Sequence, residues 1–495
     1  MSKFQSSNFI KIINRASLAG IIYFIIRSIQ SFFNQTTFRH LHIDERLVVL
    51  NPIINVYQVN DIYGRFQDLA PSVFKNILII CSELVLGGTL DYGRLYNNIF
   101  IITAGPFTYL DYEIAIIVGR LVQFGIFFFA LVYLSRNFFE KKYQFIFVLL
   151  SMGLPGAYYI FQNPKPDSLA ILFLAFGLKK ILNDKNYNKG FFLLGISIGV
   201  KIITLIPAFI MGLYLIYPLK KLNTIKHILK VVLGTILGVL IAQPALLLPL
   251  PRIYNKIFSA IKGSTTYGQG SFFKIDRINY INWVNELSYE LNISSIIFTF
   301  IFIVSFIVMC NNFLKKSNLV NNYFLVVSTI MITFLTFNVE RTWNYYLYIP
   351  FLFYLIYVVK SFHQRHILSL IFCVTLIYVA IGGLLLHNEK ATSSAFTVND
   401  LQEESFQGAI GYLDDNYELR DYEFKKAYWD SDYYFPGKNI DYSSDFYVIE
   451  NWEREKEESP LFDVVDFIVT KSSFTVNSDI KVSQFGELFV YEKSR

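Results

Sequence analysis

Cysteine is nearly missing from this chain. Cys81, Cys310 and Cys373 stand far apart with no Cys-x-x-Cys spacing, which excludes a disulfide framework and a cysteine-based metal site. Charge is sparse as well, 17% of 495 residues, and long stretches hold almost none. What fills them is apolar: hydrophobic residues make up 54% and aromatic residues 18%. A water-soluble fold of this length hides many apolar side chains, but it does not repeat uncharged runs of about 20 residues, the length a helix needs to cross a hydrocarbon layer. The sequence is therefore read as mainly α, a polytopic transmembrane helical bundle. Its first apolar run lacks a small-residue cleavage pattern and follows Lys3, Lys11 and Arg15. It reads as an anchor that stays.

Hydropathy predicts about eleven spans. They fall near 16–34, 113–135, 143–160, 168–183, 190–201, 202–217, 227–248, 295–313, 321–338, 345–359 and 367–387. The pair 190–201 and 202–217 is short, and is read either as two spans or as one re-entrant, bent element. Counted as two, the basic turns alternate consistently. Arg136, Lys141 and Lys142 share a side with Lys179, Lys180, Lys185 and Lys189, with Lys220, Lys221 and Lys226, with Lys315 and Lys316, and with Lys360 and Arg365. Lys/Arg-rich short loops stay cytoplasmic, so the N-terminus is expected inside and the C-terminus outside. Three long segments, 35–112, 249–294 and 388–495, then lie on the outer side.

The division of charge supports two parts. The whole chain carries +6, yet residues 388–495 carry roughly −12, leaving roughly +18 on 1–387. Residues 1–387 are expected to form the membrane domain. Residues 388–495 are expected to form a small extracytoplasmic α+β domain, with strands at 446–449, 464–469 and 487–491 and a helix over 404–417. Because the basic residues sit in short turns between spans, nucleic acid is not an expected partner; membrane lipids are. In the first outer segment, the stretch 77–86 reads as an amphipathic helix in the interface. The segment 249–294, with its turn Tyr267-Gly-Gln-Gly270, reads as a mobile interfacial loop, or equally as a structural turn. Its Tyr254, Tyr280 and Trp283 are candidates for stacking on a sugar or a lipid chain, or for anchoring at the interface.

The ionisable residues at the outer boundary carry the chemistry. Asp44 and Glu45 follow the first span, and Asp167 in Asn163-Pro-Lys-Pro-Asp167 opens a later one. A charge at a bilayer boundary needs water, a partner or a substrate to solvate it. Lys201 and Arg341, with Lys165 and Arg46, are outer-side cations suited to an anionic group. Arg120 lies inside an apolar run and calls for a partner. Each has a structural alternative. Asp44, Glu45 and Asp167 could cap helices, while Lys201 and Arg341 could snorkel. His42 makes His-x-Asp with Asp44, a pair able to ligate a divalent ion. No metal is taken as required, and an ion there is the lesser alternative.

In order along the chain, several stretches resemble the GT-C class of membrane glycosyltransferases, the class of protein O-mannosyltransferases and lipid A aminoarabinose transferases. They are Asp44-Glu45-Arg46, then Asp111-Tyr-Glu-Ile-Ala-Ile-Ile-Val-Gly-Arg120, then Pro164-Lys-Pro-Asp167. Gly195-Ile-Ser-Ile-Gly-Val-Lys201 running to Pro207 follows, and then Glu340-Arg341-Thr-Trp-Asn-Tyr345 running to Pro350. In the tail, Ala409–Leu413 and Val465–Val469 are similar to that class too. At 267–270 the chain departs from it, with Tyr-Gly-Gln-Gly where the class often has His-Gly or Gly-His.

The resemblance implies a polyprenyl-phosphate-linked sugar as donor and an acceptor that is lipid, protein or glycan. It implies a bacterial plasma membrane with the active site extracytoplasmic. A lipid-phosphate donor leaves as a phosphate monoester, so the site needs cations to absorb charge and a base for the acceptor on the opposite face, which gives inversion. On this expectation Asp44 is the base and Glu45 orients the site through a partner such as Arg120. Asp167 positions acceptor or base. Lys201 and Arg341 bind the donor phosphate, with Lys165, Arg120 and Tyr345 in support. The alternatives are a secondary transporter, which would show inverted repeats and charged or unwound sites at mid-membrane, and a polysaccharide polymerase or ligase of the cell envelope.

Overall fold

The computed structural model describes residues 3–34, 94–110, 112–162, 164–216, 224–247, 277–291, 295–314, 319–339, 344–361 and 367–392. In the tail it describes 425–429, 440–442, 467–470, 480–486 and 488–493, with isolated positions elsewhere. The protein is mainly helical. In chain order the helices are α1 (Lys3–Asn34), α2 (Arg94–Thr103), α3 (Tyr112–Phe138), α4 (Gln144–Met152), α5 (Ala157–Gln162), α6 (Asp167–Leu182) and α7 (Tyr187–Val200). There follow α8 (Leu205–Ile216), α9 (Thr224–Ala242), α10 (Arg277–Leu291), α11 (Ser295–Leu314), α12 (Leu319–Asn338), α13 (Tyr348–Ser361) and α14 (Ile367–Thr392). Among the described residues, two helical stretches, Ile10–Phe33 and Ile114–Phe138, are long and apolar enough to cross a membrane.

Three expectations change. The span expected at 143–160 is two helices, α4 and α5, because Gly153-Leu154-Pro155-Gly156 breaks it. Gly156 sits at φ +79°, a left-handed conformation that glycine adopts freely. The segment expected as an outer loop contains α10, and its Trp283 is buried and donates to the Val339 carbonyl at 3.0 Å. Tyr280 stacks on Phe337 and bonds Thr299. Both aromatics therefore tie α10 to its neighbours. The third change is α2, a helix within the first outer segment that the sequence reading did not assign. The stretches 77–86 and 267–270, and Tyr254, lie outside the described residues apart from Leu84.

Two kinds of contact hold the helices. The first is close backbone approach at glycine. Gly195 of α7 lies against the Thr235 carbonyl of α9, and Gly238 of α9 against the Phe192 carbonyl of α7, so near that a Cβ on either would overlap backbone. Gly153 and Gly383 bring α4 and α14 together in the same way. Such small-residue seams allow tight packing where hydrophobic burial alone gives little drive between helices. The second is an aromatic lattice, in which Phe127 lies 4.4 Å from Phe161 and 5.1 Å from Tyr348, centroid to centroid, joining α3, α5 and α13.

Side chains close the ends. Asn14 of α1 donates to Lys141 O and accepts from the backbone N–H groups of Phe145 and Ile146, satisfying orphan donors at the start of α4. After α6, Lys179 and Lys180 both bond Asp184 at 2.8 and 2.7 Å. Hydrogen bonds from these two ammonium groups hold the Asp184 carboxyl below the ordinary carboxylate range.

Among the described residues the tail carries a five-stranded mixed sheet of order β2-β1-β3-β5-β4, with β1 Lys425–Trp429, β2 Ile440–Tyr442, β3 Phe467–Thr470, β4 Ile480–Phe485 and β5 Leu488–Lys493. β1 runs parallel to β2 and β3, while β3–β5 and β4–β5 are antiparallel. Two expected strands appear in part, as β3 and β5. The one expected at 446–449 lies outside the described residues, and β1, β2 and β4 are additions. Helical positions near 405–416 pack on the β4–β5 hairpin. Tyr412 bonds Glu492, its ring lies 5.2 Å from that of Phe485, and Gly408 faces Phe485.

Candidate active site

Asp167 is the first residue of α6, and Pro164-Lys165-Pro166 leads into it. The prolines fix the backbone and supply no N–H, while the Lys165 and Pro166 carbonyls accept from the N–H groups of Ser168 and Ala170 at 3.3 and 3.0 Å. Lys201 follows the last residue of α7, where extended backbone (φ −147°, ψ 111°) breaks the helix before a short 3-10 turn, Ile202–Thr204. Because α6 and α7 are antiparallel neighbours, the start of one meets the end of the other. The Lys201 ammonium donates to Asp167 Oδ2 at 2.7 Å. The Asp167 side chain is 2% exposed and that of Lys201 12%.

Two more groups close round this pair. The Lys165 ammonium, on a residue 1% exposed, lies 3.8 Å from the centre of the Tyr345 ring. Lys201 lies 5.1 Å from the same ring and 5.2 Å from that of Tyr346. Ammonium groups over aromatic faces are held by the ring quadrupole, more strongly when desolvated. Two cations and one carboxylate thus share a buried corner walled by two tyrosines just ahead of α13.

The backbone of the corner is braced. Lys201 O accepts from the Thr204 hydroxyl and N–H, and the Ser197 hydroxyl bonds Ala170 O and Thr204. Gln123 of α3, fully buried, bonds Tyr96, Ser168, Ile160 O and Lys165 O.

Of the residues expected from sequence, Lys165, Asp167, Lys201 and Tyr345 come together. Arg120 is buried on α3 and donates to the Phe32 carbonyl at 3.1 Å, which ties it to the end of α1. His42, Asp44, Glu45, Arg46 and Arg341 lie outside the described residues. Among the described residues no three His, Cys, Asp or Glu side chains gather as metal ligands. Sequence reasoning missed Tyr346 and Gln123. Gln123 had a legible signal, an amide three residues after Arg120 in an apolar helix, where polar groups rarely sit without a partner.

No family model matches the chain, and no curated protein or solved structure is significantly similar to it. What the corner can do is read from its own groups. Two ammonium groups can hold a phosphate as point charges, and a carboxylate beside them can orient or accept a proton. The aromatic walls keep water away and strengthen both effects.

Proposed function

We propose that the chain is an integral-membrane, inverting glycosyltransferase of the GT-C kind. It moves a sugar from a polyprenyl-phosphate donor to an acceptor on the outer side of the membrane. The observation that carries this reading is the buried corner of Asp167, Lys201, Lys165 and Tyr345 at one end of the α6–α7 hairpin. The opposite end of that hairpin holds Lys179, Lys180 and Lys189. By the positive-inside rule the lysine-rich end is cytoplasmic, so the corner is exterior. α6 is 16 residues and α7 is 14. At 1.5 Å per residue each is about 20–25 Å long, less than the roughly 30 Å hydrocarbon layer. On this reading the corner is recessed, within reach of a lipid phosphate.

The polytopic bundle of about eleven spans belongs to the same proposal. It is supported by apolar stripes left exposed along whole helices. Leu229, Leu233, Leu237 and Ile241 run down α9, and Ile296, Phe300, Ile303 and Ile307 down α11. Soluble monomers rarely expose contiguous apolar patches of that extent. The glycine seams are the packing such helices use in lipid.

In the proposed reaction the acceptor oxygen attacks the anomeric carbon opposite the phosphate. The C–O bond to phosphate breaks, its electron pair leaves with the polyprenyl phosphate, and the acceptor proton passes to a carboxylate. Asp44 remains the proposed base, with Glu45 orienting the site. Lys201 and Lys165, with Arg341, stabilise the leaving phosphate, and Asp167 sets the position of Lys201. No metal is needed for this balance.

One observation favours a second reading. A helix broken at a charged residue, as α7 and α8 are at Lys201, is also the build of a secondary transporter. Reconstitution of the full chain in sealed liposomes separates the two. A transferase releases polyprenyl phosphate from at least one member of a panel of polyprenyl-phosphate sugars. A transporter accumulates free sugar and releases none. Wild-type protein that turns over no lipid donor while catalysing uptake overturns the proposal.

A further inference from the structure

We propose that Gln123 is a positioning residue for this transfer, fixing the height of Lys165 and Asp167 against Lys201 without touching substrate. The inference rests on the glycosyltransferase reading and adds to it a residue the resemblance does not single out. A primary amide offers two N–H donors and an oxygen that accepts twice. Gln123 uses all four. Its Nε2 donates to Ile160 O at 2.9 Å and Lys165 O at 3.2 Å, and its Oε1 accepts from the Tyr96 hydroxyl at 2.9 Å and the Ser168 hydroxyl at 2.8 Å. It is 0% exposed, out of reach of bulk water.

The partners make this hub specific. Ile160 is on α5, and Lys165 lies between the two prolines, where its carbonyl also accepts from the Ser168 N–H at 3.3 Å. Ser168 is the residue after Asp167, and Tyr96 is on α2. The Ser168 hydroxyl also lies 3.1 Å from Lys165 O, so it shares its one hydrogen between that carbonyl and the amide. Two of the four bonds grip the residues on either side of Pro166-Asp167, and a third anchors the preceding helix. Only the Tyr96 bond leads away from the site. A glutamate of the same shape would turn both donors into acceptors facing carbonyl oxygens, and a methionine would keep the volume and lose every bond.

The test compares Gln123→Met, Gln123→Glu, Ser168→Ala and Tyr96→Phe in full-length protein in liposomes. Two readouts are used, transfer kinetics and hydrogen exchange of peptides covering 164–170. Because small misplacements of reacting groups cost up to about 10²-fold, Gln123→Met is expected to lower kcat about 10- to 100-fold with the donor KM changed less than about threefold. Ser168→Ala, the milder variant, is expected to lower kcat about threefold to tenfold. Tyr96→Phe is expected to lower the melting temperature while leaving kcat within about twofold. Exchange at 164–170 is expected to rise in Gln123→Met and not in Tyr96→Phe.

Kinetics unchanged in a folded Gln123→Met, or Tyr96→Phe losing as much kcat as Ser168→Ala, overturns the positioning role and leaves the transferase reading standing. Wild-type protein that turns over no donor overturns that reading and the role with it, and the exchange data then report only whether Gln123 braces the turn. Should Gln123→Glu fail to fold, Gln123→Met and Ser168→Ala decide.

Discussion

The ion pair between Asp167 and Lys201 is unevenly covered, the acid 2% exposed and the base 12%. Removing one partner of a buried pair strands the other charge and costs about 3–5 kcal/mol, whereas removing both together costs much less. Lys201→Met and Asp167→Asn should each lower the melting temperature sharply, and the double variant should recover part of the loss. If Lys201 also carries donor phosphate, Lys201→Met and the double variant share a fall in kcat/KM of roughly 10²–10³-fold. A double-mutant cycle in stability and in transfer checks this. Full recovery of activity in the double variant would make the pair purely structural. The acid and the base were each legible in the sequence, because a charge beside an apolar run demands an explanation. Their pairing was not legible. It follows from α6 and α7 lying antiparallel, which brings residues 34 positions apart to 2.7 Å.

Among elements, the α7–α9 seam decides where Lys201 sits. Gly195 and Gly199 lead straight to it along α7, and each faces α9 with no room for a side chain. Gly238→Ala places its Cβ into the Phe192 carbonyl, so the helices must part. Overpacking of this kind costs about 1–3 kcal/mol, and the displaced end of α7 should lower transfer as well. Gly125 has nothing within 4 Å of an added Cβ. There alanine relieves the conformational freedom of glycine in a helix and should be neutral or stabilising by about 0.5–1 kcal/mol. Thermal melts of the two variants in one detergent test the contrast; equal effects would refute the seam. Most helices were legible because apolar runs of span length have few other uses. The break at 153–156 was written in Pro155 and Gly156 but hidden by the apolar residues on both sides. β1, with Lys425 and Lys426 opening it, and β2 show no clean alternation. Their strand character comes from pairing with one another and with β3, which no local pattern encodes.

For the molecule as a whole, the division of charge carries the sidedness. The acidic tail, roughly −12, and the basic remainder, roughly +18, are kept apart along the chain. The basic residues cluster in short turns such as Lys179 to Lys189 instead of spreading over a surface. Short basic turns stay cytoplasmic, while long acidic segments cross largely regardless of charge. If the bundle is polytopic as proposed, the turn after α6 and the β4 strand of the tail lie on opposite sides of one membrane. Lys189, in the first turn of α7 just past that connection, and Lys481 of β4 are exposed, and neither belongs to the candidate site. Cysteine placed at Lys481 should react with a membrane-impermeant maleimide on intact cells. Cysteine placed at Lys189 should react only after permeabilisation, each read against wild-type protein with its own Cys81, Cys310 and Cys373. The reverse pattern would put Asp167 and Lys201 in the cytosolic half, away from any exterior acceptor. Labelling of both positions from outside would break the alternation of spans on which the sidedness depends.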